Sequence, residues 1–172
     1  MNKKSERKPW EHHKQVLVFF IKHDKGRKSV LLGTKKDNSF FKEAIVAPGG
    51  KIEKDDLGKI SAAWREGWQE AGLRGKNARS IARLNITIWW ARRKITVHVV
   101  KCTNWSGRLR VNLEEFKNLS FIPFDKIPWD RLVPGDEKWM KEVLLKGKCR
   151  QVRILCGESR HKLLSITTRP LR

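Results

Sequence analysis

Apolar residues in this chain fall mostly in short runs, too brief for long helices and well suited to strands. Residues 16–21 (VLVFFI) and 29–33 (SVLLG) are two such runs joined by the polar segment 23–28, a hairpin pattern. Residues 44–47 form a short apolar strand that leads into Pro48 and the double glycine Gly49-Gly50. The period then changes. Ile60, Ala63, Trp64 and Trp68 recur at helical spacing, and Gly72 stops the helix predicted over 60–71. Gly67, inside that helix, should cost about 1 kcal/mol relative to alanine and suggests close approach of a strand or ligand. Residues 82–90 and 95–102 alternate around the basic turn 91–94, giving a second hairpin, while 105–119 reads as a loop and 121–124 as a strand. A second helix begins near Pro134 and Asp136, with Trp139, Met140, Val143 and Leu144 on one face and Gly147 beyond its end. Residues 152–156 and 163–168 form a last hairpin. Strands on both sides of one helix, with another helix near the end, predict an α/β fold with a mixed sheet between helices.

Composition adds a partner class. The 172 residues suit one domain, with residues 1–14 read as a mobile basic arm and 15–172 as the domain itself. Lys and Arg number 39 against 18 Asp and Glu, a net charge of +21, which points to polyanions: nucleotides, other polyphosphates or nucleic acid. The charge is spread along the chain, and no zinc-finger or RNA-recognition signature accompanies it. Cys102, Cys149 and Cys156 show no CxxC spacing, which argues against a zinc site or disulfide framework. The first apolar run is too short for a signal core or a membrane span, so the expectation is a cytoplasmic protein with no membrane partner. His12 and His13, adjacent in a polar stretch, read as solvated side chains.

The chemistry is concentrated in residues 49–73, GGKIEKDDLGKISAAWREGWQEAGL. Glu66 and Glu70 stand four residues apart and share a helix face with Gln69 beside them, so their oxygens can converge on one hard cation. This stretch resembles the Nudix box: Gly50 supplies its glycine, Asp55 or Asp56 its loop carboxylate, and Arg65, Glu66, Glu70, Gly72 and Leu73 fall on its pattern. Three features depart from it. The loop is one residue longer, Gly67 stands at an apolar position, and Gln69 stands where the family has a metal-binding glutamate.

The resemblance implies a Nudix fold and Mg²⁺-dependent hydrolysis of a nucleoside polyphosphate, with Mn²⁺ able to substitute. It assigns Arg65, Glu66 and Glu70 to catalysis and Gly49, Glu66, Gln69 and Glu70 to metal, the first through its carbonyl. Residues 30–36 and 97–102 are similar to the subgroup that hydrolyses oxidised purine nucleoside triphosphates such as 8-oxo-dGTP. By that likeness Lys35 faces the substrate, together with Gly50, and Phe40 lines a base pocket or packs in the core. The subgroup's extra glutamate ligand aligns with Arg93, which cannot hold a cation; Glu114 and Glu115 could replace it, although solvent exposure is the simpler expectation. Of the loop residues that read the purine edge, only Asp136 survives, beside Val133 and Gly135, and helix capping would explain it equally well. Trp89 and Trp90 could stack on a base, but one of the two should face the core. Three functions follow: an 8-oxo-dGTP-like triphosphate hydrolase yielding monophosphate and pyrophosphate, a Nudix hydrolase of a dinucleoside polyphosphate, inositol pyrophosphate or capped RNA, and an impaired Nudix-fold nucleotide or nucleic-acid binder.

Overall fold

The computed structural model describes residues 9–36, 43–157 and 163–171. Its centre is a mixed nine-stranded sheet. Strand β1 (Glu11–Asp24) turns at Lys25-Gly26, both with positive φ, into the antiparallel β2 (Arg27–Lys35), the hairpin expected from the apolar pattern. β1 begins at Glu11, so residues 11–14 of the stretch read as a mobile arm run parallel to the strand β7 (Arg93–Cys102). The short strands β3 (Ile45–Val46) and β4 (Gly49–Lys51) pair with β2 and β1 respectively. Helix α1 (Lys59–Ala71) ends at Gly72, whose φ of 68° is the left-handed conformation that glycine adopts without strain.

Beyond it, β5 (Leu73–Gly75) pairs with β8 (Trp105–Gly107), and β6 (Arg79–Ile88) pairs antiparallel with β7. Residues 105–119, expected as a loop, therefore contribute β8 and the start of β9 (Phe116–Pro123), which lies against β2. Helix α2 (Asp136–Met140) continues into a π-helical turn at Lys141–Leu145, and β10 (Arg150–Cys156) and β11 (Leu163–Pro170) close the sheet as a hairpin. None of the described helices is long and apolar enough to cross a membrane.

The alternation of side chains along β1 sorts the core into two layers. Phe19 and Ile21 join Leu84, Val97, Val99, Val152 and the α2 residues Trp139 and Met140 on one face, where Phe19 and Trp139 stack with ring centroids 6.0 Å apart. Val16, Val18 and Phe20 join Ala62, Ala63, Ala71, Val100 and Phe116 under α1 on the other. Gly67 is explained here: a Cβ at that position would lie 2.7 Å from the Phe20 ring, so its absence lets α1 rest on β1. Trp68 departs from the expected apolar face of the helix, being 41% exposed and flanked by the guanidinium groups of Arg74 and Arg110 at 4.8 and 5.3 Å.

Candidate active site

The double glycine and α1 meet edge to edge. The Gly49 amide donates to Glu70 Oε2 at 2.7 Å, and a Cβ on Gly50 would strike the Glu66 carboxylate, so both acidic groups come against the backbone of β4. Among the described residues, Glu66 and Glu70 are the acidic residues with the least exposure, 9% and 4%. Burial pushes the Glu70 carboxyl above its ordinary pKa, and the neighbouring Glu66 adds to that, while Lys35 and the Gly49 amide oppose it.

Arg65 organises the acidic loop around this pair. Its Nε and Nη2 donate to Asp56 Oδ1 and Oδ2 at 3.1 and 2.9 Å, a bidentate clasp, and Nη2 also donates to the Lys51 carbonyl at 2.8 Å. Of the two loop carboxylates left open by the sequence, Asp56 is the one that Arg65 holds; Asp55 is exposed. The Arg65 hydrogen bonds keep Asp56 below the usual carboxylate pKa, and Asp56 chiefly holds the guanidinium charged at any accessible pH. Nη1 donates to Glu66 Oε1 at 2.8 Å and to Gln69 Oε1 at 3.2 Å. The Gln69 amide oxygen is thus engaged by Arg65.

Lys35 enters from the end of β2. Its Nζ lies 3.0 Å from Glu70 Oε1 and 3.5 Å from Glu115 Oε2, and 5.4 Å from the centre of the Phe116 ring. Burial alone would lower its pKa, but the Glu70 and Glu115 carboxylates outweigh that and raise it. Glu115 reaches the site instead of facing open solvent. Its position follows from the pairing of Lys35 with Phe116 across β2 and β9, a non-local register that sequence spacing does not reveal. Arg93, the residue aligned with the missing glutamate, bonds to Glu11 at 3.0 Å. Phe40 lies outside the described residues.

Beside this polar cluster an apolar cavity of about 180 Å³ opens between α2 and the sheet, lined by Leu17, Val46, Ile86, Val97 and Ile154, with Asp136 and Gln15 as polar members. Leu17 pairs with Gly49 across β1 and β4, so cavity and glycines share one strand pair. Asp136 is the first residue of α2, whose cap is Gly135, and it makes no capping bond. Its Oδ1 accepts the Trp139 Nε1–H at 2.8 Å. Burial drives its pKa up to about 7, against the pull of that hydrogen bond. Trp90 also lines the cavity, whereas Trp89 is 53% exposed.

Oxygen donors from two carboxylates, with the Lys35 ammonium already drawn to one of them, suit a hard divalent cation. Among the described residues no third His, Cys, Asp or Glu completes a metal cluster with them. The donor set present is therefore Glu66 and Glu70, supplemented by backbone or amide oxygen.

The NUDIX domain family model matches residues 11–143. No curated protein sequence matches the chain. Among solved structures, the MutT protein from Bacillus halodurans superposes with a TM-score of 0.74 at 22% identity, covering 93% of this chain and 99% of that one. The NUDIX domain of Shewanella oneidensis NrtR, complexed with ADP ribose, gives 0.65 at 11% identity over 86% and 93% of the two chains. An Ap4A hydrolase from C. elegans gives 0.53 at 15% identity over 77% and 94%.

Proposed function

Because the chain belongs to the Nudix family of hydrolases, we propose that it hydrolyses a purine nucleoside triphosphate of the 8-oxo-dGTP kind to the monophosphate and pyrophosphate. The observation that carries this reading is the shared strand pair: Gly49 meets Glu70 while its partner Leu17 lines the apolar cavity. A base in that cavity would have its phosphates beside the two buried glutamates.

Water attacks phosphorus, the bond from that phosphorus to the oxygen bridging the α- and β-phosphates breaks, and the triphosphate parts into monophosphate and pyrophosphate. Glu66 accepts a proton from the attacking water. Arg65, anchored by Asp56, fixes the Glu66 carboxylate, and the missing Cβ of Gly50 leaves room for that carboxylate against β4. Mg²⁺, or Mn²⁺ in its place, held by Glu66, Glu70 and the Gly49 carbonyl, would supply charge neutralisation of the phosphates and acidify water. Lys35, 3.0 Å from Glu70 Oε1, stands at the same carboxylate and would be available to the phosphates. Asp136, with a pKa near neutrality, presents either a donor or an acceptor to the base edge.

One feature favours another polyphosphate. Gly135 stands where the triphosphate subgroup has the partner of Asp136 in a pair of adjacent aspartates, and Val133, which lines the cavity, where it has a tryptophan, which weakens selection for an oxidised purine edge. The test is product analysis on a panel of 8-oxo-dGTP, dGTP, Ap4A and ADP-ribose with and without Mg²⁺. Turnover of 8-oxo-dGTP to monophosphate and pyrophosphate, faster than the other three, supports the reading; preference for Ap4A or ADP-ribose moves the assignment to that substrate.

A further inference from the structure

The apolar cavity occupies one face of the sheet, and the opposite face continues beyond the part covered by α1. Strand alternation dictates what stands there. On β6 the residues Leu84, Ile86 and Ile88 face the core with α2, which turns Arg83, Asn85 and Thr87 the other way, with Trp89 following in the same sense. The register then aligns these positions across strands. Arg83 lies between Gln151 and His98, and Gln151 is paired with Arg169 of β11. In the next row Asn85 lies between Arg153 and Thr96, with Lys14 beyond Thr96. A third row runs from Thr87 through Lys94 to His12.

No carboxylate occupies any of these positions. Glu11, the nearest one along β1, alternates to the other face and bonds to Arg93 there. Arg83, Arg153, Arg169 and Lys94 are exposed, and Asn85, Gln151, Arg153 and Arg169 line a groove of about 200 Å³. His98 records the field: burial lowers its pKa, and Lys59, Arg83 and Lys14 lower it further. One end of the face is aromatic. Trp89, half exposed, meets Trp10 edge-on at 5.3 Å, and Lys94 Nζ lies over the Trp10 ring at 5.4 Å.

We propose that this sheet face binds single-stranded RNA, with Arg83, Arg153 and Arg169 on the phosphates and Trp89 stacked on a base. Cations spaced along a flat sheet match a polyanionic strand, and an exposed indole ring at the end of the row offers a stacking surface that a paired base cannot use. Amide and hydroxyl side chains between the cations, at Asn85, Gln151, Thr87 and Thr96, can both donate to and accept from the ribose 2′-hydroxyl that distinguishes RNA from DNA. The surface lies across the sheet from the cavity with Asp136, so it operates whichever polyphosphate that cavity takes.

Fluorescence anisotropy with an unstructured RNA of about 20 nucleotides, long enough to cross one such face, tests the assignment. The same sequence as DNA and as duplex RNA provides the comparison. The RNA should bind most tightly, with an affinity that falls as NaCl rises. The Arg83→Gln/Arg153→Gln pair should weaken it at least about tenfold and reduce the salt slope by about 0.7 for each phosphate that is no longer neutralised. Trp89→Ala should weaken it about tenfold with the slope unchanged, since stacking releases no counterion. Melting temperature, read on each variant, separates weakened binding from unfolding. Equal affinity for the DNA or the duplex, or wild-type affinity in folded variants of either kind, would overturn the proposal.

Discussion

The ammonium of Lys35 lies 3.0 Å from Glu70 Oε1, while the other oxygen of that carboxylate accepts the Gly49 amide. A buried carboxylate needs positive charge, and Lys35 supplies it from the protein itself. A divalent cation held by Glu70 would serve the same need, and the two would compete for one oxygen. Lys35→Met should therefore cost about 2 kcal/mol in metal-free buffer, less than for a fully buried pair because the lysine retains some solvent contact. Mg²⁺ should raise the melting temperature of the variant more than that of the wild type. Calorimetry with and without Mg²⁺ checks both; an unchanged metal-free melting temperature would refute the pairing.

Asp136 predicts a pH effect of definite sign. Its folded pKa is raised from 3.8 to about 7, so between those values the native state holds a proton that the unfolded chain releases. Its favourable contribution is complete below pH 3.8 and disappears as pH rises through 7. Asp136→Asn should flatten this decline, becoming more stable relative to the wild type as pH rises toward 7, and should change the preference between oxidised and normal guanine nucleotides. Urea unfolding at several pH values reads the first effect. Parallel pH profiles for both proteins would show that Asp136 is charged throughout.

Gln69 bonds to Arg65 Nη1 through its amide oxygen at 3.2 Å. Gln69→Glu adds a charge on the same helix face as Glu66 and Glu70, and Arg65 stays in place because Asp56 holds it by two bonds. The variant should bind Mg²⁺ more tightly and hydrolyse faster at low Mg²⁺, with little change at saturation. Isothermal titration with Mg²⁺ decides the point; identical affinities would put Gln69 outside the metal shell.

Much of this arrangement is legible in the residues alone, and what is missed has a common physical origin. The Arg65–Glu66–Glu70 group is local to one helix, where spacing determines which side chains share a face. The hairpins at Lys25-Gly26 and around residues 91–94 are likewise local. Glu115 escapes because it reaches Lys35 only through the long-range pairing of β2 with β9. Asp136 invites a capping explanation from its place at a helix start, yet Gly135 takes the cap and the carboxyl turns to Trp139. Trp68 fits the helical period but is lifted off the core, where Gly67 and small alanines let α1 lie close to Phe20. The cationic sheet face is hidden for a related reason: its charges are scattered through five strands and become one surface only in register.

The most direct measurement of the central claim is Mg²⁺-dependent release of pyrophosphate from 8-oxo-dGTP by the wild type and by Glu70→Gln. The amide preserves the shape of Glu70 and removes the charge proposed to hold the cation, so the rate should fall by at least ~10²-fold with the melting temperature nearly unchanged. Wild-type turnover with undiminished Mg²⁺ dependence in Glu70→Gln would contradict the assignment of Glu70 to the hydrolytic centre.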